Sequence, residues 1–291
     1  MKQWRLIQSG FADGAMNMAV DEAIAAAVAA GDQPPTLRFY GWQPPAVSLG
    51  YHQELDSGID RDAVAERGYS IVRRPTGGRA ILHADEVTYS FCIRQDAIKG
   101  GHSTMESYRE ISRGIIAGLE LLGAAVNMGA DQDGPGPNFS GPGFSGQDTY
   151  ATEGHEAAKP ICFAKTARCD LQAAGRKVVG SAQVRRNGGI LQHGSIPITI
   201  DLEDQVAVMP GSDGRISRKV LAGAAMSVTE LLGHPVTFDE LSAAVAGGFV
   251  DTFKVALSEE DLSGEEAAEA ERLYAEKYAT DEWNERVAGA K

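Results

Sequence analysis

Apolar positions in this chain recur with two different periods, and the switching between them predicts most of its elements. Residues 4–8 read as a strand. An Ala-rich run over 15–30 reads as a helix, beginning after the Asp13-Gly14 turn and stopping at Gly31-Asp32. Two short β-type runs, 36–40 and 46–49, are separated by Gly41-Trp42-Gln43-Pro44-Pro45, which predicts an antiparallel pair. A short helix over 61–67, a strand over 70–74, a second strand from Ala80 and a β-branched, aromatic strand over 87–93 follow. The clearest helical period covers 105–122, where Ile111, Ile115, Ile116, Leu119 and Leu122 share one face. Strands over 170–174, 177–184 and 190–200 then read as a meander, turning at Gly175-Arg176 and at Asn187-Gly188-Gly189. Beyond Asp201 the strand signal stops, and helices are expected over 228–232, 238–253 and 264–278. The strongly acidic stretch 258–285 reads as a solvated helical cap.

This order of elements predicts an α+β fold: mixed, largely antiparallel sheets with packed helices, and a C-terminal helical subdomain. The expected division is 1–205 and 206–291. Within the first unit, 127–159 stands apart, because its Gly/Pro density between Asp133 and Gly146 suits neither helix nor sheet. A long loop of this kind, directly followed by residues with chemistry, is expected to be a mobile element at the mouth of a site. The chain has 291 residues and a net charge of −13 (27 basic against 40 acidic), which argues against general affinity for nucleic acid or an anionic membrane. Three cysteines, Cys92, Cys162 and Cys169, are too few and too irregular for a disulfide framework. With no long apolar run and no leader-like N-terminus, a cytoplasmic location is expected.

Three segments can carry chemistry. Arg73-Arg74-Pro75-Thr76-Gly77-Gly78-Arg79 places paired glycines between two strands, where backbone N–H groups can approach a carbonyl, phosphate or thioester; it can equally be a hairpin turn with solvated arginines. Lys177 opens a strand just past a tight turn, placed either to meet a developing oxyanion or simply to keep a strand edge soluble. Cys162 lies between the Gly/Pro-rich loop and the lysine strand, either a thiolate acyl acceptor or a small buried hydrophobe. Cys92 and Cys169 fit structural positions better. The six histidines have no metal-ligand spacing, so no metal site is expected. No Walker A sequence, dinucleotide fingerprint or nucleophile elbow around Ser195 occurs.

Taken together, residues 73–83 with Glu86-Val87-Thr88-Tyr89-Ser90, residues 175–183, and Gln192-His193-Gly194-Ser195-Ile196 resemble the signature segments of the lipoate/biotin protein ligase superfamily. The similarity runs from the first strand to the tail around Lys277 and Trp283, apart from the Gly/Pro-rich insertion. Many ligases of the superfamily have a third glycine where this chain has Arg79, and an Asn-Asp pair where it has Cys169-Asp170. The Gly-Gly-Arg version and the placement of Cys162 resemble the superfamily's cysteine-dependent octanoyltransferases.

The resemblance implies a catalytic domain of the biotin/lipoate ligase type over 1–205. It implies Cys162 and Lys177 as catalytic residues, and a substrate-binding set of Arg73, Arg74, Thr76, Gly77, Gly78, Arg79, His83, Gly180, Ser181, Ala182, Gln183 and His193. The implied donor is octanoyl-acyl carrier protein, and the acceptor a lysine of a lipoyl domain such as the glycine cleavage H protein, with no cofactor. The alternatives are an ATP- and Mg²⁺-dependent lipoate ligase on the same fold, or a non-catalytic lipoyl carrier or binding module. Because acyl carrier proteins are acidic, a local basic patch from Arg73, Arg74, Arg79, Arg176, Arg185 and Arg186 is expected to offset the chain's negative charge.

Overall fold

The computed structural model describes residues 1–55, 58–129, 170–211, 214 and 216–286. Among these, the strands form an eight-stranded and a three-stranded sheet, an α+β architecture. The large sheet contains β1 (Lys2–Ala12), β2 (Thr36–Trp42), β6 (Glu86–Arg94), β7 (Asn127–Met128), β8 (Leu171–Ala173), β9 (Arg176–Arg186), β10 (Gly189–Pro197) and β11 (Val255–Glu259), in the order β11-β1-β2-β6-β10-β9-β8-β7. Its β11-β1-β2 edge is parallel and the remainder antiparallel. The small sheet places β3 (Ala46–Leu49) between β4 (Ser70–Arg73) and β5 (Ile81–His83).

Each face of the large sheet is covered by helices. α3 (Thr104–Leu121) and α7 (Phe238–Phe253) cross closely on one face, burying Phe249, Ile111 and Ile115 against Phe91, Trp4 and Leu37. That crossing needs small residues: a Cβ on Gly114 would stand 2.8 Å from the Phe249 ring, and one on Gly248 would overlap the Gly118 backbone. On the other face lies α1 (Gly14–Ala30), started by the Asp13 side chain accepting from the Met16 N–H and ended by Gly31 at φ 88°. α8 (Gly264–Leu273), prolonged by a π-helical turn Tyr274–Tyr278, packs on α1. α2 (Arg61–Glu66), α4 (Leu202–Val208) and α5 (Arg218–Ala224) flank the small sheet; α6 (Val228–Leu232) adds to the α3/α7 side and α9 (Asp281–Asn284) closes against β4. No helix among the described residues is long and apolar enough to cross a membrane.

Several expectations are corrected. The strands over 36–40 and 46–49 do not pair: β2 inserts between β1 and β6, whereas β3 joins the small sheet. Every residue of both strands is buried, so neither has a solvent face that would reveal its partner. Strand structure does not end at Asp201, because β11 follows α7 and adds a parallel edge to β1. Val228, Val245 and Phe249 share one core cluster with Leu37 and Tyr89, joining the C-terminal stretch to the N-terminal sheet. The acidic segment is more than a solvated cap. Glu266 is 2% exposed and takes both terminal nitrogens of the buried Arg5, at 2.5 and 2.7 Å. Of the loop expected over 127–159, Asn127–Met128 is a strand paired with β8; residues 130–159 lie outside the described residues, as do Cys162 and Cys169.

Candidate active site

Two tight turns fix the strands that carry Lys177 and His193. Ala174 and Gly175 (φ 50° and 75°) join β8 to β9, and Asn187 and Gly188 (φ 50° and 78°) join β9 to β10, both with the left-handed residues that a two-residue hairpin demands. Along β8, Leu171 pairs with Val179 and the adjacent Gln172 with Lys177, so β9 carries one extra residue, a bulge. Neighbouring residues on β8 point to opposite faces, so Lys177 lies on the face opposite Leu171 and Val179, both of which join the α3/α7 core. Its face is that of Gly180 and Ala182, with His193 directly across from Ala182 on β10. Lys177 is 1% exposed, and its Nζ lies 2.9 Å from Asp170 Oδ1. It is therefore no solubilising edge residue but half of a buried ion pair.

Ser181 and Gln183 point the other way, under α3. The Tyr89 hydroxyl donates to Ser181 Oγ (2.7 Å), Gln192 Nε2 to the Tyr89 oxygen (3.0 Å), Gln183 Nε2 to Gln192 Oε1 (3.0 Å) and Ser107 to Gln183 Oε1 (3.2 Å). Burial pushes the Tyr89 phenol up to about 12, so the hydroxyl keeps its proton and stays a donor. These two residues fasten the sheet to α3, and the structure does not bring them together with Lys177.

The arginine–glycine segment crosses the Lys177 face. Thr76 is fully buried, with Oγ1 2.7 Å from His193 Nε2 and its carbonyl accepting from the Tyr51 N–H (2.8 Å). Arg74 folds back on its own loop, donating to the carbonyls of Gly77 (2.8 and 3.1 Å) and Arg79 (2.8 Å), and to Ser48 Oγ (3.0 Å). The Gly78 carbonyl packs on Gly50, where a Cβ would overlap it. Gly78 has φ 93°, a conformation natural only to glycine, and a Cβ on Gly77 would meet nothing within 4 Å. The N–H groups of Gly77 and Gly78 donate to no acceptor among the described residues. The segment is thus not a hairpin: β4 and β5 flank β3 without pairing to each other.

The expected basic patch does not form. Arg73 is fully buried, and its guanidinium donates to the carbonyls of Gly50 (2.9 Å), Gln53 (2.5 Å), Trp283 (3.2 Å) and Asn284 (2.9 Å). Arg74 is spent on its loop. Arg176 pairs with Glu230 (2.6 Å) and Arg186 with Glu22 (3.3 Å), while Arg185 lies beside Thr104 on the α3 side. A guanidinium has five donors, and carbonyls freed by irregular loops satisfy them as well as an anion does. Arg79, half-buried at the loop, is the member of the set left near the site.

Two buried relays stand behind the loop. In one, His193 Nδ1 lies 3.0 Å from Asp21 Oδ2, and Asp21 also accepts from Arg38 (2.7 Å) and the Tyr40 hydroxyl (2.9 Å). Burial alone would raise the Asp21 pKa, but the Arg38 charge and the His193 contact together outweigh it and hold the carboxyl below its usual range. Burial pushes His193 below its ordinary value, against the pull of Asp21. In the other relay, His83 places Nε2 2.8 Å from Ser48 Oγ and Nδ1 2.8 Å from Glu86 Oε1, with Trp42 stacked on its ring at 3.9 Å. Ser195 donates to Glu86 Oε2 (2.6 Å), which accounts for that serine without a nucleophilic role. Sequence reasoning missed Asp21, Arg38, Ser48 and the role of Glu86. One signal was available: Asn17 and Asp21 occupy the same stripe of the Ala-rich helix as Ile24 and Val28.

Residues 13–250 match a known family, the lipoyl protein ligase A/B catalytic domain. The chain is 44% identical to octanoyltransferase LipM of Symbiobacterium thermophilum, across 97% of this chain and 98% of that one. It is 40% identical to octanoyltransferase LipM of Kyrpidia tusciae, across 98% and 100%. In fold it is similar to a solved bi-partite lipoate protein ligase from Thermoplasma acidophilum, with a TM-score of 0.77 and 23% identity, across 100% of this chain and 99% of that one.

Proposed function

The chain belongs to the lipoyl protein ligase A/B catalytic-domain family, and from that premise we propose that it is an octanoyltransferase that modifies a lysine of a lipoyl domain. As an enzyme it is an acyltransferase. The observation that carries the reading is Lys177, a buried lysine paired with Asp170 on the sheet face of His193, which Thr76 at the start of the glycine pair contacts.

The donor we infer is octanoyl-acyl carrier protein. The Cys162 thiolate attacks the thioester carbonyl, a C–S bond to the enzyme forms as the one to the carrier breaks, and the carrier leaves as its thiolate. One thioester replaces another, so the step is nearly isoenergetic and needs no nucleotide. The neutral ε-amine of the acceptor lysine then attacks the octanoyl-Cys162, the amide forms, the amine gives up a proton and the cysteine is regenerated. Both steps pass through a tetrahedral oxyanion. The Lys177 ammonium and the outward N–H groups of Gly77 and Gly78 are donors of the kind that stabilise one. The assignment of Cys162 rests on its place in the sequence, since it lies outside the described residues.

Intact-mass measurement after mixing the enzyme with octanoyl-acyl carrier protein, without acceptor or ATP, tests this. The expected result is a single hydroxylamine-labile octanoyl adduct that disappears on adding a lipoyl domain. No adduct, with product formed only when ATP is added, would replace the transferase reading by a ligase. No transfer under either condition would leave a binding module.

A further inference from the structure

Two buried chains of carboxylate, imidazole and hydroxyl end on the same few residues: Asp21–His193–Thr76, and Glu86–His83–Ser48 with Arg74 beyond it. The donors and acceptors along them can be ordered. Arg74 only donates, so Ser48 Oγ accepts from it and has its own proton to give to His83 Nε2. The Glu86 carboxylate accepts from Thr88 and Ser195 as well, so His83 donates to it through Nδ1–H and a neutral ring leaves Nε2 to accept from Ser48. Likewise the Asp21 carboxylate only accepts, so His193 carries its proton on Nδ1, and its bare Nε2 accepts from the Thr76 hydroxyl. A neutral imidazole at either place is thereby the Nδ1–H tautomer, the one less favoured by a free histidine side chain in water.

The far ends of the two chains hold one loop. His193 takes the Thr76 hydroxyl while Tyr51 N–H takes its carbonyl. Ser48 steadies the guanidinium that takes the carbonyls of Gly77 and Arg79. In a trans peptide the C=O and the next N–H point oppositely. Turning the carbonyls of Thr76 and Gly77 toward the protein therefore turns the N–H groups of Gly77 and Gly78 away from it.

We propose that Asp21 with His193, and Glu86 with His83, are positioning residues that hold this loop with its carbonyls inward and the Gly77 and Gly78 N–H groups facing the acyl carbonyl. The proposal rests on the transferase reading for its substrate, but not for the geometry of the relays. A loop held this way is set before substrate arrives, so its N–H groups need no reorientation as charge develops on the oxygen.

Nitrogen-15 NMR of histidine-labelled protein, free of substrate, reads the relays directly. His83 and His193 are expected as Nδ1–H tautomers, their signals assigned by His83→Gln and His193→Gln. Thr76→Val should perturb the His193 signals alone. In single-turnover acylation, Thr76→Val should lower the maximal rate by about tenfold or more while moving the KM for the carrier by less than about threefold, and Thr76→Ser should restore most of the rate. A purely structural threonine would lower thermal stability without that split. An Nε2–H tautomer at His193, or a wild-type acylation rate in Thr76→Val, overturns the proposal. A wild-type protein that transfers no octanoyl group overturns the transferase reading and the acyl role of the loop with it, and the tautomers then decide the relays by themselves.

Discussion

Gly50→Ala tests how finely the glycine loop must be placed. The added Cβ would overlap the Gly78 carbonyl oxygen and stand 2.8 Å from its carbon and 3.3 Å from the Gly77 carbon. Ordinary contact between carbons begins near 3.5 Å, so Gly78 must retreat on the order of 1 Å once the oxygen is also cleared. The obstacle is backbone rather than a flexible side-chain end, and that backbone is pinned by Arg74 and by the Thr76–His193 contact. Gly50 has no positive φ, so the substitution brings crowding without backbone strain. Overpacking of this kind costs about 1–3 kcal/mol of stability, and a shift of 1 Å in a positioning element costs on the order of 10²-fold in rate. Gly77→Ala is the informative companion. Its Cβ would meet no protein atom within 4 Å, so stability should stay within about 0.5 kcal/mol. Activity should fall nonetheless, because the space it enters is where the acyl group is expected. Thermal melts paired with single-turnover acylation measure both. A Gly50→Ala enzyme acylating within threefold of wild type would show that the loop tolerates displacement, and would remove the argument for its precise placement.

Three further outcomes follow from the buried groups. Lys177→Ala should slow both acylation and transfer by on the order of 10²–10³ and, contrary to what a solvent-facing strand lysine would do, destabilise the fold by about 3–5 kcal/mol by removing the buried positive charge beside Asp170; adding Asp170→Asn should return part of the stability and none of the activity, which urea titration and single-turnover assays separate. Glu266→Gln should cost a similar amount of stability by leaving Arg5 buried and unpaired, while acylation well below the melting temperature stays at the wild-type rate. For His193, whose folded pKa lies below its ordinary 6.5, the unfolded chain binds the proton first; its contribution to stability is complete above about 6.5 and is lost as the pH falls toward the folded pKa. Denaturant titrations across that range should show a shallower acid-side loss in His193→Gln than in wild type.

The features that could be read directly from the sequence are those decided by neighbours along the chain. The helix over 238–253 has in the structure the bounds its pattern predicts, because Thr237 and Glu240 form a capping box at one end and the chain turns left-handed at Lys254 at the other. The hairpins at Gly175 and Gly188 are encoded by residues that tolerate positive φ. The signature segments around Thr76, Lys177 and His193 were legible for the same reason: each is a short string whose residue types suffice to mark it.

Which strands pair, and where a charge finds its partner, was decided only by the tertiary structure. β11 reaches β1 from the far end of the chain, and Glu266 meets Arg5 across the same distance. Period-two alternation would have put Lys177 on the face of Val179; a single bulge puts it on the other, with Gly180 and His193. Arg73 and Arg74 look like phosphate ligands in the sequence, yet they turn inward, because the loop carbonyls around Gly50, Gly77 and Trp283 lack strand or helix partners and the guanidinium donors satisfy them. A backbone preference is a property of a few consecutive residues. The partner of a buried charge depends on which distant segments the packed core brings within about 3 Å of it, and that is settled only when the whole chain has folded.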